Sequence, residues 1–492
     1  MVFKKMTHFF CLFYQTKTGH KLIDTMKLLK ILKPNLPYII AFIVVLISIN
    51  SIMDTKLWKT KQVIQSDVVS YYGYLPATFI YHDYTLQFVD KYTGPHQFLL
   101  YPKVVSNGGR IFITSMGMSF LYAPFFFAAD YYAQQSNFDA GGYSEPYQVS
   151  VIISTIFFFI LGLFFLCKIL LHFFNPYISA LVVLITAIGS NLFYYATFEP
   201  GMSHLYSFSL ITMFIWFTVK WFQNQKPINT ILLGLLIGII SLVRPTNIIV
   251  ALFFIFYDIK SWNDVINRVR FFLSKINHII LIAVLCFLVW LPQFLYWKSI
   301  TGSFLFYSYG DENNFFFNNP QIINGLFSYR NGWLVYSPAM IFSVLGIFFL
   351  WKTLKELRLA LTAIFFVFIY VIFSWWCWWY GGSFGNRAMI DIYGLLALSM
   401  GGFFTYINSL KFKWINYPVI FLALFLTIVN IHHINKRRNF SIHYDSMTKE
   451  AFWDSYLKKR PSPTFESKLR APDYNKALKG INAYADENIE IK

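Results

Sequence analysis

Residues 149–171 read VSVIISTIFFFILGLFFLCKILL, and Lys168 is their single charge. At about 1.5 Å per residue, a helix of this length crosses a hydrocarbon core of roughly 30 Å. Apolar runs of similar character recur near 37–53, 178–195, 203–221, 229–242, 246–257, 276–297, 332–351, 359–377, 388–407 and 414–433. Backbone exposed to lipid must satisfy its own hydrogen bonds, so each run is expected to be helical. The expected architecture is an all-α polytopic membrane protein with about eleven transmembrane helices. The short pair within 229–257 also reads as one kinked crossing.

Composition agrees with that reading. Hydrophobic residues make up 57% of the chain, aromatics 21% and charged residues only 13%, which leaves too little polar material to coat a soluble globule of 492 residues. The formal charge of +18 belongs with cytoplasmic loops and anionic headgroups, because no basic binding module accompanies it and nucleic acid is not an expected partner. Cys11, Cys167, Cys286 and Cys377 lack the paired spacing of a disulfide framework or a zinc site. The first 36 residues carry seven lysines and one acid, then run into an apolar stretch without a small-residue cleavage site, the pattern of a retained anchor.

The distribution of positive charge sets an orientation. Lysine and arginine crowd 1–34, 220–226, 260–275, 352–358 and 411–413, and the positive-inside rule assigns all five to the cytoplasm. That parity requires the apolar stretch 111–129, with Pro124, to lie along the outer face as an interfacial helix. Three parts follow: a basic cytoplasmic N-terminus (1–36), a membrane domain (37–433) with a first outer loop at 54–148, and a small polar C-terminal tail (434–492) on the outer face. The Lys436, Arg437, Arg438 cluster runs against the last placement, although long tails obey the charge rule poorly. The tail is expected to pack on the outer loops or to stay partly disordered.

The chemistry then gathers in the outer loops. The first contains Ser66, Asp67, Tyr71 and Tyr72, followed by Asp83. A carboxylate held above the bilayer beside tyrosines suits general-base work, while a helix-cap role for Asp67 is the plainer reading. Arg110, in the same loop, suits a lipid-linked phosphate or headgroup anchoring. Glu199 and His204 flank the start of the span 203–221. Arg244 opens the sequence Arg244-Pro245-Thr246-Asn247 between two apolar runs, where an ionisable residue suggests a site or a partner for carbonyls freed by Pro245. The loop 307–330 carries Asp311, Glu312 and Arg330. The next reads Trp379-Tyr380-Gly381-Gly382-Ser383-Phe384-Gly385-Asn386-Arg387, where glycines allow close backbone approach and Arg387 stands at a helix N-terminus suited to phosphate.

In order along the chain, these segments resemble the GT-C superfamily of polyprenyl-phosphate-sugar-dependent glycosyltransferases, the group that includes protein O-mannosyltransferases and aminoarabinose lipid A transferases. The resemblance spans most of 37–433 and rests on the acidic first loop, the interfacial helix, Arg244-Pro245-Thr246-Asn247 and the 379–387 stretch. It implies transfer of a sugar from an undecaprenyl-type polyprenyl-phosphate donor to an acceptor hydroxyl on a glycan, lipid or protein, with inversion. It places the site on the outer face of a cell inner membrane. Asp67 or Asp83 would be the base, since members often carry paired acids where Val68 and Val69 follow Asp67 here. Arg387, Arg110, Arg330 and Arg244 would hold the donor phosphate, and Tyr71, Tyr72, Glu199, His204, Trp379 and Gly382 would line the pocket. No cofactor is required, and a divalent metal is compatible with the chemistry. The competing expectation is a transporter or flippase of lipid-linked saccharides, which predicts repeated halves and charges near the bilayer midplane.

Overall fold

The computed structural model describes residues 20–60, 63–90, 102–310 and 313–481, with residues 20–31 and 60 by backbone only. Asp311 and Glu312, Cys11 and the tail beyond 481 lie outside the described residues. Among the described residues the fold is all-α apart from one small sheet, which pairs Lys103 with Ile111 and Val104 with Arg110 in antiparallel register.

Six helices among the described residues are long and apolar enough to cross a membrane: Leu32–Lys59, Glu145–Phe173, Ser203–Gln223, Ile276–Thr301, Arg387–Ser409 and Lys413–Arg438. Five shorter apolar helices accompany them: Pro176–Ile188, Pro227–Val243, Pro245–Phe256, Pro338–Thr353 and Arg358–Phe373. All five shorter ones except the last begin with proline, which suits a first helical turn where its missing N–H costs nothing. At one of them, Asn175 Oδ1 also accepts the Tyr177 and Ile178 amides.

Several runs are broken more finely than their hydropathy suggests. The run 178–195 is two helices, Pro176–Ile188 and Leu192–Thr197, parted where the Asn191 amide turns to Ser337 Oγ at 3.0 Å. The run 359–377 stops at Phe373, because Trp375 instead pairs with Phe315 in an isolated bridge. The stretch 111–129 becomes the helix Gly117–Gln134, which packs on Glu145–Phe173 and exposes Phe127, Tyr131 and Tyr132. It is not among the helices apolar enough to cross.

Burial sorts the helices into centre and rim. In the apolar window of Arg387–Ser409, 94% of residues are buried, and in Ser203–Gln223 72%, whereas Ile276–Thr301 and Lys413–Arg438 reach only 11% and 17%. The two rim helices present Phe287, Leu295 and Phe421 outward, with Phe421 72% exposed. In water such faces would associate, so they are the surface solvated by lipid, and the chain is a multi-helix membrane protein.

The tail folds back over one end of the bundle. Arg330 Nη2 donates to the Arg470 carbonyl, Asn331 Nδ2 to the Tyr444 carbonyl at 2.8 Å, and Trp453 Nε1 to Tyr329 Oη at 2.9 Å. Tyr474 packs against Trp376 and Trp379. Its docking explains the basic cluster at the end of the last long helix. Lys436 Nζ donates to the Ser455 carbonyl at 2.9 Å, and Arg437 faces Glu199.

Candidate functional site

Asp67 opens the short helix Asp67–Tyr72 rather than capping it; an acid in the first turn complements the exposed amides there. Its residue neighbour Ser66 has φ 49°, a left-handed conformation that turns the chain sharply before the helix. The Asp67 carboxylate reaches across the fold, and Oδ2 lies 2.7 Å from Nη2 of Arg387. Asp67 is 41% exposed and Arg387 14%.

The loop that delivers Arg387 is held by side-chain amides. Asn386 Nδ2 donates to the Trp378 carbonyl at 2.9 Å, and Asn191 Nδ2 donates to the Phe384 carbonyl at 3.1 Å. Asn331 Nδ2 reaches the carbonyls of Trp379 and Gly381, both at 3.3 Å. Tyr195 Oη accepts from the Phe384 amide at 3.0 Å and sits 2.9 Å from Ser383 Oγ. Gly381 and Gly385 have φ of 62° and 61°, which side-chain-bearing residues adopt only at a cost. Gly382 has ordinary backbone, and a Cβ there would touch only Tyr444, at 3.5 Å.

A cavity of about 150 Å³ lies between these elements, lined by Gln65, Ser66, Glu199, Pro200, Gly382 and Arg387 among others. Glu199 Oε1 accepts from Tyr194 Oη at 2.9 Å and lies 3.7 Å from Arg437 Nη2. The cavity is thus lined by one carboxylate, Glu199, and one guanidinium, Arg387, and each is paired with a group outside the lining, Arg437 and Asp67. Arg387 Nε is buried without a hydrogen-bond partner, an arrangement that invites a ligand acceptor. Tyr71 is buried beside this wall, with Oη accepting from Ser203 Oγ at 3.1 Å. Burial, reinforced by Asp67, pushes its phenol well up, so it stays a neutral hydroxyl.

A second polar knot lies deeper. Asp391 is fully buried, four residues after Arg387, and gathers His204 Nδ1 at 2.8 Å, Asn247 Nδ2 at 3.0 Å and Arg244 Nε at 3.1 Å. Asn247 Nδ2 also reaches Ser207 Oγ at 3.1 Å. The guanidinium of Arg244 lies 6.0 Å over the Tyr380 ring, so the knot ties the Arg244-Pro245-Thr246-Asn247 segment to the glycine loop. His204 thus serves Asp391 and does not line the cavity. Asp391, the centre of this knot, is the residue the sequence reading passed over. It is the only Asp, Glu, Lys or Arg in the apolar run 388–407, a position that raises a functional-site hypothesis.

Other expected site residues stand elsewhere. Asp83 is committed to its own turn: Oδ1 accepts from the Thr85 amide at 2.9 Å and Oδ2 from the Phe88 amide at 2.8 Å. Burial opposes its charge but is outweighed by the bonds from Thr85, Phe88 and Gln87, which hold its carboxyl below the usual range. Arg110 pairs with Asp90 at 2.9 Å and donates to the Leu86 carbonyl, beside that turn. Arg330 is buried and anchors the tail through Arg470. Tyr72 is buried with its hydroxyl on the Gly142 carbonyl at 2.6 Å, and Trp379 is buried against Trp376, Trp378 and Tyr474. None of these five lines the cavity. Among the described residues, no group of three His, Cys, Asp or Glu side chains is placed to hold a metal ion.

Scanned against models of known protein families, the chain matches none, and a search of curated proteins returns no significant match.

Proposed function

We propose that this chain is a membrane glycosyltransferase that moves a sugar from a polyprenyl-phosphate donor to an acceptor hydroxyl, with inversion. The observation that carries this reading is the Asp67–Arg387 pair, whose arginine lines a cavity at one end of an apolar helical bundle. The donor's phosphate would take the Arg387 guanidinium, whose planar fork suits two phosphate oxygens. Asp67, released from that contact, would turn to the acceptor hydroxyl and accept its proton. The acceptor oxygen would then bond to the anomeric carbon as the bond from that carbon to the phosphate oxygen breaks. Polyprenyl phosphate leaves with the electron pair, and Arg387 stabilises its charge. Asp83 is a poorer base because its oxygens already serve the turn 83–88.

The same reading puts the cavity and the tail on the outer face of the inner membrane, with about eleven crossings and a cytoplasmic N-terminus. Membrane-impermeant labelling of single cysteines should reach Gly382→Cys and Ser467→Cys from one side and Ser274→Cys from the other. Equal access to Gly382→Cys and Ser274→Cys from one side would break the one-face site.

The test of the activity is release of polyprenyl phosphate from radiolabelled polyprenyl-phosphate sugars by membranes containing the protein, as label appears in an acceptor. Transport of lipid-linked saccharides is the second reading. The buried Asp391 and His204, with the half-buried Arg244, favour it, because ionisable groups inside a bundle mark translocation paths as well as catalytic sites. Movement of intact donor across the bilayer without release of polyprenyl phosphate would select it.

A further inference from the structure

The tail carries a feature that the cavity does not use. Leu457 is 89% exposed and Trp453 57%, although Trp453 Nε1 is bonded to Tyr329. Lys458, Lys459 and Arg460 follow directly and are all exposed. Lys458 is paired with Asp454 at 3.2 Å, whereas no ion pair engages Lys459 or Arg460 among the described residues. Leu457 and Trp453 exposed together in one loop, followed by two unpaired cations, are well matched to an interface where an apolar layer meets anionic headgroups.

The backbone of this loop is tied to the end of the last long helix. His432 Nε2 donates to the Tyr456 carbonyl at 2.9 Å, and Lys436 Nζ donates to the carbonyls of Ser455 and Lys458. The loop therefore lies against the last long helix within about two turns of its end. Directly below, the same helix exposes Phe421, Ile428 and Ile431 as a continuous lipid-facing stripe. That helix has 26 residues, about 39 Å at its usual rise, longer than a hydrocarbon core of roughly 30 Å, and its polar end with His432, His433, Lys436, Arg437 and Arg438 is the part suited to stand beyond that core. Leu457 is held at that end of the helix through its neighbours Tyr456 and Lys458, and it is exposed like Phe421, Ile428 and Ile431.

We propose that the 453–460 loop docks on the bilayer surface, with Leu457 in the interfacial layer and Lys459 and Arg460 on anionic phospholipid headgroups. The tail is then clamped from two sides, by the loops that include Arg330 and Asn331 and by the membrane.

The full-length protein, carrying an environment-sensitive fluorescent amino acid at position 457, would be reconstituted into vesicles of phosphatidylcholine alone or with about a third phosphatidylglycerol. Docking predicts blue-shifted emission and at least roughly twofold quenching by lipids bearing a nitroxide near the headgroup, stronger in the anionic vesicles and weakened by Lys459→Glu with Arg460→Glu. Water-like emission with no lipid quenching in either vesicle would overturn the proposal. So would quenching that ignores both lipid charge and the double reversal, or a soluble polyanion that binds these cations while lipid does not quench. Because the probe replaces Leu457, the native chain supplies a second measure: acylation of the Lys459 amine should be slower in anionic than in neutral vesicles, and equal rates would count against docking.

Discussion

Asp67 and Arg387 are 320 positions apart in sequence, yet Oδ2 of one lies 2.7 Å from Nη2 of the other, and Arg387 lines a cavity together with Glu199 and Gly382. The contact joins the first long polar loop to the glycine-rich segment before a central helix. A partly exposed carboxylate paired with a mostly buried guanidinium is poised for exchange, since an incoming anion can take the arginine while water or an acceptor hydroxyl receives the acid.

The first prediction concerns the acid. Asp67→Asn keeps size and a contact to Arg387 but removes the proton acceptor, so sugar transfer should fall by about 10²–10⁴-fold while donor binding survives. Asp83→Asn should leave transfer near normal, because that side chain organises Thr85 and Phe88 away from the cavity. Transfer from a radiolabelled donor at matched membrane levels makes the comparison. Loss of transfer confined to Asp83→Asn would move the base to that residue.

The arginine is tested by its geometry. Arg387→Lys should impair donor binding already, because an ammonium cannot reproduce a planar fork. Arg387→Ala should weaken it by about 2–5 kcal/mol. In a double-mutant cycle with Asp67→Asn, the two changes should couple by about 0.5–3 kcal/mol, as contacting residues do. Strict additivity together with normal donor affinity would leave Arg387 a structural tie only.

The sequence made the membrane class and the helical segments plain because lipid imposes one requirement, a long apolar run, that local composition reports directly. It also singled out Glu199, Gly382 and Arg387, which the fold brings to one cavity, and Asp67, which pairs with that arginine, since unusual polar residues beside apolar runs stand out. It could not separate them from Arg110, Arg330, Tyr72 and Trp379, because what distinguishes these is a distant partner: Asp90, the Arg470 carbonyl, the Gly142 carbonyl and the tail's Tyr474. Asp391 escaped for a related reason. Its meaning depends on His204, Asn247 and Arg244 arriving from two other segments, and only the rule against unexplained charge in an apolar run would have flagged it.

That knot yields a stability prediction. Asp391→Ala leaves Arg244 with its carboxylate removed and strips His204 and Asn247 of their acceptor, a change that typically costs about 3–5 kcal/mol. Asp391→Asn, which keeps an oxygen toward Nε of Arg244, should cost less. Arg244→Ala combined with Asp391→Ala should be less damaging than the sum of the two single changes. Thermal unfolding in one detergent, followed by loss of monodisperse protein, gives the ranking; an Asp391→Ala variant as stable as wild type would remove the knot from the core of the argument.

The last prediction is the pH response of the tail. Asp445 and Asp454 both hold their carboxyls below the usual range. At Asp445 burial opposes the charge, but the bonds from His443 and Ser446 outweigh it. At Asp454 the Ser462 hydroxyl contributes most, followed by Lys468 and, after a small burial cost, Lys458. A carboxyl whose value is lower folded than unfolded binds fewer protons in the folded state, so its contribution is fully present above the unfolded value of about 3.9 and is lost as pH falls toward the folded one. The docked tail should therefore keep its hydrogen-exchange protection from neutrality down to about pH 5 and lose it progressively below about pH 4. Asp445→Asn and Asp454→Asn should each lower protection at neutral pH and flatten the acid loss, because an amide has no proton to gain. A tail whose protection declines between pH 7 and pH 5, or whose acid response is unchanged in both amide variants, would assign its docking to groups other than these two carboxylates.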